Sequence, residues 1–365
     1  DDVTGMVTPT DSKLHNLLTF TSDRTFRLYG AMIGGLTVMT FEVVRTPSAI
    51  RGFGAYPTLV DVTINGAGAT FPAPLYNAWS QEYGQQRKVA INYQAIGSGG
   101  GIKAITARSV DFGATDSPMT DAELSQAAGV IHIPTCVGCV VAAYNIPGGP
   151  TSIKLTGQVL ADIFTGKIGT WNHAAIAGLN PGVRLPALRI VPVSRADSSG
   201  TTAIFTSYLA RVSASFKAEI GEGKSVNIRV GVKGKGNDGV AALVRQTPGA
   251  LGYVELAYAE KNNMPFALIQ NAKGNWVVAS IKSATESATA KDLPADFRAM
   301  ITNTQDKEGY PIAGFTWLLI YPNAKREVKD FIRWCLTDGQ KSAARYDYAP
   351  LPEAVRRRAF AAIGK

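Results

Sequence analysis

Cysteine and histidine are scarce in this chain of 365 residues, with three of each. Cys136, Cys139 and Cys335 are too few for a disulfide framework. His15, His132 and His173 stand far apart, without the spacing of zinc ligands or of a base beside a nucleophile. No metal and no cofactor is therefore expected. Long apolar runs are also missing. None approaches the roughly 18 residues that a membrane span requires, and mean hydropathy is only +0.03. Basic residues are not interleaved with aromatic ones in the body of the chain. The densest cluster, Arg356-Arg357-Arg358, reads as the solvated face of a terminal helix. The formal net charge of +9 thus favours encounter with anions without arguing for nucleic acid. With 45% apolar and 18% charged residues, the composition is that of a globular protein with enough chain for two domains.

What is present is a polar turn between two apolar elements. Leu188 to Val193 reads as a buried strand and Thr202 to Val212 as an amphipathic helix. Between them lies Ser194-Arg195-Ala196-Asp197-Ser198-Ser199-Gly200-Thr201. The first amides of a helix have no partner within it, and the helix dipole makes that end partly positive. Ser198 and Ser199 are good N-cap residues, and Gly200 lets a ligand approach the backbone. Arg195 offers a planar fork of donors that Asp197 can steady. Taken alone, the octapeptide also fits an ordinary capped helix beside a surface ion pair.

Two more loops of this design precede it. Val62 to Ile64 reads as a strand, followed by a glycine-bearing loop through Phe71 and a helix from Pro72 to about Tyr83. Val89 to Ala95 reads as a second strand, Gly97-Ser98-Gly99-Gly100-Gly101 as a loop, and Ile102 to Ala107 as a helix. Val110 to Ala114 is a third strand, ending at Thr115-Asp116-Ser117-Pro118, and Thr120 with Glu123 makes a capping box for the next helix. Strand–loop–helix units in succession predict an α/β fold with mainly parallel strands, whose ligands sit beyond the strands' carboxyl ends. Farther on, Thr156 caps a helix to Phe164, Val226 to Val232 reads as a strand, and Phe315 to Tyr321 as another. Gly234 to Gly239 formally fits GxGxxG, which alone is a weak sign of a dinucleotide. Cys136-Val137-Gly138-Cys139 has redox spacing but lies in Thr135 to Tyr144, an apolar strand pattern. Side chains three apart on a strand face opposite ways, so two inert buried thiols are expected. At the other end, Arg24 and Arg27 precede an apolar stretch from Leu28 to Phe41. This is similar to the charged and apolar parts of a secretory signal, although no A-x-A pattern stands before Asp61. Residues 1–60 are expected to be an export leader or an accessory extension.

Several of these stretches together resemble the periplasmic phosphate-binding proteins that serve bacterial phosphate ABC importers. They are GAGATFPAPLY (Gly66 to Tyr76), IGSGGGIK around Ser98, VDFGATDSPMT (Val110 to Thr120), SRADSSGT (Ser194 to Thr201), and GKGNDGVAALV with PGALGYVELAYA. The resemblance covers roughly residues 61–360. It implies a type II periplasmic-binding-protein fold: two α/β lobes, two hinge crossovers and a cleft. The lobes would be 61–141 with 255–365, and 142–254 between them. The phosphate ligands it implies are Thr70, Phe71, Ser98, Asp116, Arg195, Ser199, Gly200 and Thr201, with Asp197 behind Arg195. Ser198 stands where the family often has glycine, and Cys136 and Cys139 replace small or apolar residues; none of these removes a ligand. The implied function is binding of monohydrogen phosphate in the periplasm and delivery to a membrane ABC permease, by a monomer without enzymatic activity. Two alternatives use the same site: a phosphate-sensing or surface protein, and a phosphatase with Ser199 as nucleophile. The second lacks a nearby base and metal ligands in the sequence.

Overall fold

The computed structural model describes residues 25–33, 36–44, 62–289 and 293–364. The chain divides into two units, Asp1–Thr58 and Leu59–Lys365. In the first, β1 (Thr25–Ile33) and β2 (Leu36–Val44) pair antiparallel, with Ile33 opposite Leu36. The rest of the leader-like reading falls outside the described residues.

The second unit is an α/β structure on one eight-stranded sheet. Its chain order runs β3 (Val62–Gly68), β4 (Val89–Ala95), β5 (Phe112–Thr115), β6 (Ile131–Tyr144), β7 (Lys154–Leu155), β8 (Val191–Arg195), β9 (Val232–Gly234), β10 (Ala250–Glu255), β11 (Leu268–Gln270), β12 (Trp276–Val277) and β13 (Ala313–Ile320). The large sheet has the order β4-β3-β5-β13-β6-β10-β8-β9, and β12-β11-β7 form a small one. Each flank of the large sheet is parallel: β3 with β4 and β5, and β8 with β9 and β10. The centre is not. β13 runs antiparallel to both β5 and β6, and β10 antiparallel to β6. The expectation of mainly parallel strands therefore holds only on the flanks. Apolar strand patterns show burial, not direction, and every residue of β13 and all but the first of β6 are buried. Strand β6 changes partner midway: Ile131 to Cys139 face β13, and Val140 to Tyr144 face β10.

Helices follow the carboxyl ends of the flanking strands. They are α1 (Ala73–Arg87) after β3, α2 (Ser98–Thr106) after β4 and α3 (Asp121–Gln126) after β5. Next come α4 (Gly157–Phe164), α5 (Ala174–Ala177), α6 (Gly200–Val212) after β8, α7 (Ala214–Glu219), and α8 (Gly236–Gln246) after β9. The capping box of Thr120 and Glu123 forms at α3, and Thr156 caps α4 as expected. Three boundaries move. The strand expected over Leu188 to Val193 is β8, which carries Ser194 and Arg195 to its tip. The strand expected over Val226 to Val232 shrinks to β9, because Gly231 at φ +77° turns the backbone out of the extended region just before it. Helix α2 begins at Ser98 rather than Ile102, so three glycines lie inside its first turns.

Glycine disfavours helix interiors, so something outweighs propensity there. A Cβ on Gly101 would lie 2.5 Å from the Ala114 carbonyl oxygen and 2.6 Å from Gly68 Cα. Only a residue without a side chain lets α2 settle on β3 and β5. At Gly100 the neighbour is merely the flexible Ile96 side chain, at 2.9 Å. Gly101→Ala should therefore cost about 1–3 kcal/mol through overpacking against rigid backbone. Gly100→Ala should fall within about 1 kcal/mol of neutral, since gained helix propensity offsets a small side-chain shift. Urea unfolding of the two variants checks this.

Candidate functional site

Four helix N-termini meet at the carboxyl ends of the two parallel flanks. Thr70 and Phe71 stand just before α1, Ser98 opens α2, Ser199 caps α6 by accepting the Thr202 N–H, and Asn237 lies in the first turn of α8. Hydrogen bonds tie these ends together. Asn237 donates from its backbone N–H (3.2 Å) and from Nδ2 (2.8 Å) to Thr70 Oγ1, and from Nδ2 to Thr201 Oγ1 (3.1 Å). Gly200 N–H donates to Ser98 Oγ at 3.0 Å, and Gly99 N–H to the Ser198 carbonyl at 3.0 Å. Gly200 owes its identity to this closeness: a Cβ there would lie 2.4 Å from Ser98 Oγ and 2.6 Å from Asp116 Cβ.

All eight residues named as ligands by sequence resemblance are buried. The amides of Thr70, Phe71, Ser98 and Thr201 find no acceptor among the described residues. Buried donors without partners are uncommon in proteins, and four in one place mark a site built for an acceptor-rich guest. The Gly200 and Ser199 amides are already engaged, by Ser98 Oγ and the Lys224 carbonyl. The Phe71 side chain takes no part in the polar cluster. It packs edge-on against Tyr348, whose hydroxyl donates to the Phe71 carbonyl and fixes the loop.

Arg195 and Asp197 form a two-point ion pair, Nε to Oδ1 at 2.8 Å and Nη2 to Oδ2 at 2.6 Å. The arginine side chain is only 1% exposed. Nη1 donates to Thr201 Oγ1 at 3.2 Å. A guanidinium has five N–H groups, so two remain for a guest. Burial works to raise Asp197, but the Arg195 hydrogen bonds and charge, with the Gly236 N–H, hold its carboxyl below the usual range. A polar cavity of about 90 Å³ lies beside this pair, lined among others by Ser194, Thr202, Lys224, Lys233 and Tyr253.

Asp116 sits where β5 ends and accepts from Thr316 Oγ1 (2.8 Å) and Ser98 Oγ (3.3 Å). Burial pushes its carboxyl up to about 7, against the Thr316 bond, the Arg195 charge and the Ser98 bond, which pull it down. Near neutrality it therefore exists both as a proton acceptor and as a proton donor. Ser199 Oγ accepts the Thr202 N–H, and among the described residues no basic side chain contacts it. No group of three or more His, Cys, Asp or Glu is placed to hold a metal among the described residues. Cys136 and Cys139 are free and buried in β6, and burial pushes both thiols up.

Asn237 and Thr316 are the residues that sequence reasoning passed over. Asn237 belongs to the GxGxxG hexapeptide, whose formal match to a dinucleotide fingerprint hid a plainer signal: a strand, a glycine loop and a helix N-terminus, as in the other three loops. Thr316 lies within a buried strand, and only the pairing of β13 with β5 brings it to Asp116.

Comparison with known proteins gives the family. The family model for the PBP superfamily domain matches residues 54–338. The phosphate-binding protein PstS of Xylella fastidiosa is 45% identical over 299 residues, covering 80% of this chain and 82% of that protein. PstS of Methanocaldococcus jannaschii is 35% identical over 362 residues, covering 89% and 92%. Among solved structures, a high affinity periplasmic phosphate-binding protein bound with phosphate (PfluDING) superposes with a TM-score of 0.65 at 22% identity, covering 82% of this chain and 93% of that one. An ABC-type phosphate transport receptor from Vibrio cholerae gives 0.53 at 19%, covering 79% and 100%. At those identities the structures speak to the fold, which is that of the type II periplasmic binding proteins. The sequence relatives carry the assignment further: this chain belongs to the PBP superfamily and, within it, to the PstS family of phosphate-binding proteins.

Proposed function

We propose that this protein binds monohydrogen phosphate in the periplasm and hands it to a membrane ABC permease, as a monomer and without chemistry. One observation carries the reading: four buried amides without acceptors and a buried, partly free arginine fork surround a carboxyl group at Asp116. Helix N-termini each present roughly half a positive charge. Four of them sum to about two, enough to offset a dianion without mobile counter-ions. The ligands proposed are Thr70, Phe71, Ser98, Asp116, Arg195, Ser199, Gly200 and Thr201, joined by Asn237. The curated relatives, which are phosphate-binding proteins, support a receptor over a phosphatase.

The division of ligands supports a hinged closure. Thr70, Ser98 and Asp116 belong to one parallel flank, and Arg195 to Thr201 with Asn237 to the other. The proposed lobes are residues 61–141 with 255–365, and 142–254, joined near the point where β6 changes partner. A guest held by both flanks draws them together. Addition of phosphate should reduce the radius of gyration measured by X-ray scattering, and identical profiles with and without phosphate would count against closure.

Asp116 supplies the selectivity. Monohydrogen phosphate brings a proton for the carboxylate to accept, whereas sulfate at neutral pH brings none. Two acceptors left face to face in a buried site cost a few kcal/mol. Calorimetric titration at pH 8, where the carboxyl is mostly ionised, should show tight phosphate binding and sulfate weaker by about tenfold. Asp116→Asn supplies an N–H donor in the carboxylate's place and should narrow that ratio severalfold. The wild-type ratio should also narrow on acidification. With a pKa of about 7, the carboxyl is mostly ionised at pH 8 and mostly protonated at pH 6, where it can donate to sulfate. Sulfate affinity should rise about tenfold over that interval, and Asp116→Asn should abolish the rise.

A further inference from the structure

Outside the proposed ligands, one ion pair among the described residues joins the two flanks. Lys224 lies in the loop after α7, and its carbonyl accepts the Ser199 N–H at 2.8 Å. The loop is also fastened to α6, since Gly223 N–H donates to Thr206 Oγ1. Lys224 therefore travels with the Ser199–Thr201 side of the site. Its side chain reaches the other way and donates from Nζ to Glu123 Oε2 at 2.8 Å.

Glu123 is fastened to the Asp116 side. The same carboxylate oxygen accepts the Thr120 N–H and the Thr120 hydroxyl, as the capping box of α3. Thr120 follows Asp116 by four residues, and the segment between is pinned twice. His132 Nε2 accepts the Met119 N–H, and Arg298 donates to the Met119 carbonyl and to Asp121. Glu123 is thus a fixed post and Lys224 the arm that meets it.

The pair is partly withdrawn from water, with side chains 13% and 28% exposed. The pairs Lys167–Glu219 and Lys325–Asp111 each stay on one side of the cleft, and neither buries both partners as far. Burial works to raise the Glu123 carboxyl, but the Lys224 bond and charge and the Thr120 N–H outweigh it and hold it low.

We propose that Lys224 and Glu123 are positioning residues that latch the cleft shut and set how long the bound anion stays, without choosing which anion enters. The proposal rests on the phosphate-binding reading above. Neither side chain has a hydrogen bond to a proposed ligand, so the pair should act on release and leave discrimination alone.

The test compares wild type, Lys224→Met and Lys224→Arg by stopped-flow measurement of phosphate association and release. Losing one partner of a partly buried charge pair acts mainly on the off-rate. Lys224→Met should release phosphate about tenfold faster, with an association rate and a phosphate-to-sulfate ratio close to wild type. Lys224→Arg should restore most of the slow release. High salt should speed release from wild type but not from Lys224→Met. The melting temperature separates a latch from a structural prop. Without ligand it should be the same in wild type and Lys224→Met, and with saturating phosphate it should be lower in the variant. Unchanged release, a loss confined to the association rate, or an equal fall in both melting temperatures would each overturn the latch. A wild type that binds no phosphate would overturn the functional reading together with the latch; a binding wild type with an unaltered variant would overturn the latch alone.

Discussion

A small dianion leaves water only if fixed donors replace its hydration, and this constraint shapes the second unit. Mobile lysines would be a poor substitute, because each must be ordered when the guest arrives. The site instead spends its one buried arginine sparingly, tying three of its N–H groups to Asp197 and Thr201. Arg195 and Asp197 nearly cancel, so the cluster carries little net charge of its own. Attraction then comes from the four helix ends and their unpartnered amides, which are already in place. The parallel flanks follow from that demand. A parallel strand must be followed by a crossover, and a helix starting at a strand's carboxyl end aims its first amides toward the sheet's rim.

Much of this local design was legible in the sequence, because it is written in contiguous residues. The turns after β3, β4 and β8, the capping box of Thr120 and Glu123, and the burial of Cys136 and Cys139 are short-range facts. What escaped depends on contacts between distant segments. Gly99, Gly100 and Gly101 look like loop, yet they are helix, with Gly101 packed against Ala114 and Gly68. The direction of β13 is invisible in its apolar run, and with it the approach of Thr316 to Asp116. Asn237 was hidden for another reason: a motif match invited a comparison with dinucleotide sites and drew attention from the strand–turn–helix geometry. The resemblance to phosphate-binding proteins supplied the ligand set in a way that spacing alone could not.

The centre of the sheet explains how two such flanks belong to one cleft. Strand β6 is shared, pairing with β13 up to Cys139 and with β10 from Val140 onward. At the end of β10, Glu255 accepts from the Ala257 N–H and gives its own N–H to Asn237 Oδ1. The return crossing is thereby hydrogen-bonded to a residue that touches both Thr70 and Thr201. Relative rotation of the flanks about β6 and β10 would strain little of the ladder, yet it would break the Asn237–Thr70 and Gly200–Ser98 bonds at once. An arrangement with few deformable links and many coincident contacts favours two discrete states over a continuum.

On the proposed reading, selectivity and residence time fall to different residues for a physical reason. Phosphate and sulfate share shape and size, so no packing contact separates them; only a proton does. That task needs a carboxyl group at the bottom of the site, where Asp116 is buried to 1% exposure and its titration is governed by desolvation. A carboxylate there also repels the negative charge of its guest, phosphate included. Strengthening the amide cradle could compensate, but more donors would serve sulfate as well as phosphate. An ion pair outside the shell avoids this conflict, because Lys224 and Glu123 stabilise the closed form whatever it encloses. The separation allows discrimination to be set within the cleft and release to be set at its edge.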